Sequence, residues 1–197
     1  VKKLDKIKNL NDYDFVVMPS SIIAHETEVD ALKKLTKLGI KVFVIGIFAN
    51  VKKEEYQMEN SFVIPGEPET FFLENNLNKE NLNKFFDKDN QSYFGKPFVT
   101  NLDDLPFPSW DDYLKDYPLR NNFLSFNSKD AIPILATRGC PYSCFNYCTY
   151  PLQQGRKVRF RSVENVVSEI KHWVELIGAK KFVFRDPVFS INRKYTI

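Results

Sequence analysis

Cys140, Cys144 and Cys148 are all the cysteines of the 197-residue chain, and they fall within nine consecutive residues. They follow an apolar run, Ile132 to Ala136, that reads as a strand. Thiols three to four residues apart on a loop can point at one centre, and thiolates favour zinc and iron–sulfur clusters. Three thiolates do not complete a tetrahedral zinc site, which takes four protein ligands. The nearest later histidine, His172, falls inside a predicted helix. A [4Fe–4S] cluster with three protein ligands leaves one iron open to a substrate. The odd cysteine count and a chain long enough to bury a core speak against a disulfide staple. Zinc, a cluster and unligated thiols are the readings these residues leave open.

The composition sets wide bounds. The chain is 43% hydrophobic with a net charge of +3. That suggests one or two globular domains and does not call for nucleic acid. No run reaches the roughly 18 apolar residues of a membrane span. Free thiols and the lack of a visible export signal point to the cytoplasm. Residues 2–10 read as the tail of a helix and residues 192–197 as the start of one. Both ends look cut, as in a piece of a longer protein.

Strands must alternate with helices to position any site. Tyr13–Met18, Ile40–Ile45 and Ser61–Ile64 are apolar runs that read as strands. Val29, Leu32, Leu35 and Leu38 recur at helical spacing, with Gly39 as the stop. Short helices are expected over 51–58 and 67–77. This alternation implies a parallel sheet, whose ligands sit at strand carboxyl ends. Those ends are Ser20-Ser21, Gly46 and Gly66-Glu67. On composition alone these are ordinary turn residues. His25 stands alone and reads as a surface or capping histidine.

Residues 78–130 read as a polar connector. Phe85-Phe86 and Tyr93-Phe94 flank a small hairpin, and Leu105, Phe107 and Trp110 of a proline-rich segment pack onto a domain face. Residues 131–136 form the next strand, followed by the cysteine loop. Arg156, Lys157, Arg159 and Arg161 make a basic loop that either attracts an anion or pairs with acids. Ser162 is a plausible N-cap. Val163, Val166, Val167, Ile170, Trp173, Val174 and Ile177 make an apolar stripe ending at Gly178. Trp173 belongs to the core, His172 flanks it, and neither has a site role. Lys181–Arg185 is a further strand. It delivers Arg185 and Asp186 to the end where the cysteines lie.

The segments Arg138–Cys144 and Tyr147–Pro151 resemble the cluster loop of radical S-adenosylmethionine (SAM) enzymes. Three residues separate the last cysteine pair in place of the usual two, so Phe145 or Asn146 is absorbed as a bulge. The resemblance implies that Cys140, Cys144 and Cys148 ligate a [4Fe–4S] cluster and that Tyr147 lies against the adenine of SAM. Arg185 and Asp186 match the position that contacts the SAM amino group. Ser20, Ser21, Gly46, Gly66 and Glu67 resemble the later half of a cobalamin-binding domain. The Leu-Pro-Phe-Pro segment at 105–108 resembles the linker of such proteins.

The expectation is therefore an α/β chain in three parts. A Rossmann-like cobalamin-binding-type domain covers 1–77 and a linker 78–130. The first strand–helix units of a radical SAM (β/α) partial TIM barrel cover 131–197. The implied activity is reductive cleavage of SAM to a 5′-deoxyadenosyl radical, with cobalamin-dependent methylation or rearrangement of an unactivated carbon. The implied partners are a small-molecule or lipid substrate and an electron donor such as ferredoxin or flavodoxin. The piece alone is expected to be inactive. A tRNA methylthiotransferase is the alternative within the superfamily, though no cysteine precedes Cys140. A non-catalytic zinc- or cluster-binding module is the alternative of another class.

Overall fold

The computed structural model describes residue 10 and residues 13–78, 80–86, 97–111, 114, 131–144 and 147–196. It divides into two compact units, Val1–Val99 and Thr100–Ile197.

In the first unit three strands, β1 (Val16–Pro19), β2 (Val42–Ile45) and β3 (Ser61–Val63), form a parallel sheet in the order β1-β2-β3. Helices α1 (His25–Lys37), α2 (Ile47–Val51), α3 (Lys53–Tyr56) and α4 (Pro68–Asn75) connect and follow them. The central strand explains the arrangement. A parallel strand covered on both faces reads as a continuous apolar run, and Val42, Phe43 and Val44 are all fully buried. Val42 and Val44 pack with Leu32 and Leu35 of α1, Ala49 and Tyr56. Phe43 faces the other way, among Phe62, Phe71, Phe85 and Phe86, with ring centroids 5.0–6.1 Å away. Leu82, Phe85 and Phe86, read from sequence as connector, are therefore core residues of this unit. A short 3-10 turn over Leu82–Phe85 turns them inward. The expected hairpin around 87–94 lies outside the described residues, as does most of 1–10.

In the second unit β4 (Ala131–Ile134) pairs in parallel with β7 (Lys181–Phe184), in the register Ala131↔Lys181 to Ile134↔Phe184. Two residues further on, β5 (Thr137–Arg138) pairs antiparallel with β6 (Arg159–Phe160). The helices are α5 (Tyr150–Gln154), α6 (Val163–Ile177) and α7 (Arg193–Thr196). Among the described residues this is a two-stranded parallel sheet with a small antiparallel pair. The α/β class stands, and a partial barrel is not seen among the described residues.

Helix α6 starts and stops where its sequence dictates. Ser162 Oγ accepts the Asn165 amide at 3.1 Å, which satisfies one of the orphan donors of a helix start. Gly178 closes the helix in a left-handed conformation, φ 66°. Its inner face differs from the expected stripe. Val166 and Trp173 are buried with Ile132, Ile134 and Ala136, while Val163, Val167 and Val174 are 40–49% exposed. The position between is taken by Glu169, which is 1% exposed. Among the described residues, no helix is long and apolar enough to cross a membrane.

Candidate functional site at the strand ends of the second unit

The parallel pairing of β4 with β7 brings the two sequence-predicted regions together. The Arg185 amide donates to the Ile134 carbonyl at 2.9 Å and extends the ladder by one residue. The next residue, Asp186, then stands beside Thr137. Its Oδ1 accepts both the Thr137 amide and the Thr137 hydroxyl, the latter at 2.6 Å. Asp186 Oδ2 is buried with no hydrogen-bond partner among the described residues. A buried carboxylate oxygen without a donor is costly unless a cation or donor arrives. Tyr195 closes the other side. Its ring lies 5.0 Å from that of Phe160 and its hydroxyl donates to the Ala136 carbonyl at 3.4 Å. Burial raises the Tyr195 phenol above the ordinary tyrosine range, and the Asp186 carboxylate raises it further.

From Thr137 the chain enters the cysteine loop through a tight backbone approach. Gly139 has φ 97°, and a Cβ there would lie 2.2 Å from the Lys157 carbonyl oxygen. No side chain fits. Its amide donates to Gln154 Oε1 at 3.1 Å, and the Cys140 amide donates to the Gly155 carbonyl at 3.0 Å. The first cysteine is thus fixed to the turn after α5 and buried.

The other two thiols are more open to solvent. Cys144 is exposed and Cys148 half-buried. Among the described residues no group of three or more His, Cys, Asp or Glu side chains is placed to hold a metal ion. The three sulfurs suit a thiophilic centre by chemistry. The Cys140 amide is held by Gly155, and Cys144 farther along the loop lies exposed. Tyr147 is 77% exposed, with its amide donated to the Cys144 carbonyl at 3.2 Å.

The basic loop serves mainly the fold. Arg161 donates to the Leu135 carbonyl, to Asn165 Oδ1 and to buried Glu169. Glu169 also accepts from the Trp173 indole at 3.4 Å. Arg159 is buried and donates to the Gln154 carbonyl, and Arg156 reaches Ser143 Oγ at 2.9 Å. Asp103 accepts the Ser162 amide at 2.9 Å, so the acidic segment before the prolines docks on the start of α6. Sequence reasoning missed both Glu169 and Asp103. The signal for Glu169 was its place between Val166 and Trp173 on the inner face, eight residues after Arg161.

A cavity of about 250 Å³ opens beside this junction. Leu102, Leu105 and Trp110 line it from the proline-rich segment, Pro133 and Leu135 from β4 and the residue after it. Arg138, Arg161 and Arg185 bring three guanidinium groups to the same walls, with Glu169 the single carboxylate among the described residues. The segment does pack as expected at Phe107 and Trp110, against the cluster of Ile132, Ile134 and Trp173.

The candidate residues of the first unit are engaged internally. Ser20 Oγ accepts the Ala49 amide at 2.9 Å, and Ser21 donates from its amide and hydroxyl to Glu28 at 2.9 and 2.8 Å. The Gly46 carbonyl and the Gly66 amide are bridged by the Asn50 side chain. Gly66 has φ 70°, and a Cβ there would come within 2.0 Å of the Pro97 carbonyl oxygen. Glu67 is buried and accepts the Val99 amide at 2.8 Å. Its own amide donates to Pro97. Gly66 and Glu67 therefore clamp residues 97–99 onto the unit. His25 is no simple surface residue. Its Nε2 lies 2.6 Å from Glu55 and its Nδ1 lies 3.0 Å from the Tyr56 hydroxyl, which donates to Glu28. Burial, then Glu28, pushes the Tyr56 phenol well above the ordinary range.

No protein-family model matches the chain. Curated relatives do. An uncharacterized methyltransferase of Pyrococcus horikoshii is 31% identical over 105 residues, 52% of this chain and 21% of that protein. Two proteins of Chlorobaculum tepidum are also similar. A bacteriochlorophyllide d C-12(1)-methyltransferase is 42% identical over 66 residues, 32% of this chain and 14% of its own length. A bacteriochlorophyllide d C-8(2)-methyltransferase is 26% identical over 184 residues, 92% of this chain and 36% of its own length. The chain thus spans little more than a third of the relative it follows furthest. These findings correct the family expected from sequence. The likeness is to proteins named for methyl transfer, and neither a radical SAM nor a cobalamin-domain family is matched.

Proposed function

We propose that the chain is part of a methyltransferase that takes its methyl group from S-adenosylmethionine, with the donor held at the junction of Thr137 and Asp186. The observation that carries the reading is the run of methyltransferase-named relatives, one of them similar over 92% of the chain. The junction supports it chemically. SAM brings a cationic ammonium and a cationic sulfonium, and Asp186 holds a buried carboxylate oxygen that has no donor of its own among the described residues. Tyr147 offers an exposed ring face on which an adenine can stack. The role of these residues is to bind and orient the donor. Transfer itself then needs an acceptor nucleophile or carbon aligned behind the methyl group.

Cys140, Cys144 and Cys148 are assigned as ligands for a soft metal ion or an iron–sulfur cluster. This rests on side-chain chemistry alone, and no step of the transfer is drawn through such a centre.

Isothermal titration with SAM tests the main reading. Saturable binding, weakened by about tenfold or more in Asp186→Ala through loss of a charge-assisted contact, is the expected result. A folded protein with no saturable SAM binding sinks it. Iron, zinc and acid-labile sulfide analysis of anaerobically purified protein tests the thiol assignment. Metal-free protein after reconstitution with iron, sulfide or zinc removes it.

A further inference from the structure

We propose that the cavity of the second unit holds an apolar arm of the methyl acceptor that ends in a carboxylate; the acceptor role rests on the methyl-transfer reading above. Leu102, Leu105, Trp110, Pro133 and Leu135 give the cavity an apolar body. Its charge is one-sided. Arg161 is spent on Glu169, the one acid among the described wall residues, at a contact where Glu169 is buried and Arg161 nearly so. That leaves the Arg185 guanidinium to set the sign of the field. The Arg185 side chain is exposed and has no hydrogen bond or ion pair among the described residues. A guanidinium at the rim of an apolar cavity matches a carboxylate in geometry as well as charge.

Size and place define the ligand further. At about 250 Å³ the space falls short of the roughly 300–1,000 Å³ that encloses a drug-sized molecule. It fits one substituent of a larger acceptor. Arg138 and Arg185 directly follow and precede Thr137 and Asp186, the residues joined at the donor junction. An acceptor anchored by its acid arm would therefore present its remaining body beside that junction. The cavity selects acceptors that are both apolar and anionic and rejects neutral analogues.

The test uses 4-phenylbutyrate and its neutral counterpart 4-phenylbutanol as probes, titrated calorimetrically at low salt, with SAM titrated in parallel. The acid should bind about tenfold tighter than the alcohol, the scale of one charge-assisted contact. Arg185→Gln should remove the preference and Arg185→Lys should restore part of it. Equal binding of the two probes, binding of neither, or a preference untouched by Arg185→Gln overturns the proposal. A protein that takes SAM but shows no acid preference overturns the cavity assignment and leaves the methyl-donor reading intact. One that prefers the acid and takes no SAM upholds the anion site and overturns the methyl-donor reading.

Discussion

Asp186 accepts two hydrogen bonds from one residue, the amide and the hydroxyl of Thr137, forty-nine positions earlier. Thr137 is fully buried, so water cannot replace what Asp186 provides. Thr137→Val removes one bond and should cost about 1–2 kcal/mol, the net value of a hydrogen bond to a charged group. Asp186→Ala strands a buried amide and hydroxyl together and should cost about 2–4 kcal/mol. Urea denaturation reads both. Losses under about 0.5 kcal/mol in both, the range of an ordinary surface change, would show that the junction does not hold the unit together.

Gly139 and Gly66 make a second prediction. Each has positive φ and a backbone carbonyl where a Cβ would sit. Alanine at either position should cost about 3 kcal/mol, combining left-handed strain with a backbone clash. Thermal melting would report it. Gly139→Ala should also disturb the Cys140 amide bond to Gly155, visible as faster hydrogen exchange at that amide.

In the pair of Arg161 and Glu169 the carboxylate is buried and the guanidinium nearly so, and both have further hydrogen-bond partners. Glu169→Ala should destabilise by about 3–5 kcal/mol, because it leaves a guanidinium buried without its counter-charge. The double change Arg161→Met with Glu169→Leu should recover a large part of that loss. A double variant as unstable as the single one would place the cost in packing rather than in charge.

Tyr56 predicts a pH dependence. Its phenol is raised above the ordinary value of about 10 by burial first and by Glu28 second. A folded-state pKa above the unfolded one gives stability that is complete below pH ~10 and is lost as pH rises beyond it. Tyr56→Phe should flatten that alkaline loss while lowering stability near neutrality, since Glu28 loses a donor. Guanidinium titrations between pH 8 and 11 would show it. Parallel alkaline slopes in the two proteins would contradict the assignment.

Much of the scaffold is legible in the sequence because its signals are local. Apolar runs mark β2 and β3, and Ser162 and Gly178 bracket α6 by chemistry that acts within a few residues. The Leu-Pro-Phe-Pro segment shows its packing role through Phe107 and Trp110. What escapes is set by partners far along the chain. Glu169 looks like a solvent residue until Arg161 is placed beside it. Phe85 and Phe86 look like connector until the face of Phe43 demands a cover. His25 looks solitary until α3 brings Glu55 and Tyr56 to it. The three thiols show the reverse case. Spacing alone suggests convergence, while among the described residues no group of three ligating side chains is assembled.

The β4–β7 pairing also fixes an order of events during synthesis. Ala131 meets Lys181, so this sheet cannot close until some fifty further residues have left the ribosome. Closing so long a loop is slow compared with winding α6, which needs only its own neighbours. Throughout that interval Cys140, the thiol that the folded unit buries, travels uncovered beside Cys144 and Cys148. Uncovered thiols are the more exposed to oxidation. The reducing power of the compartment in which translation occurs therefore bears on the yield of intact protein.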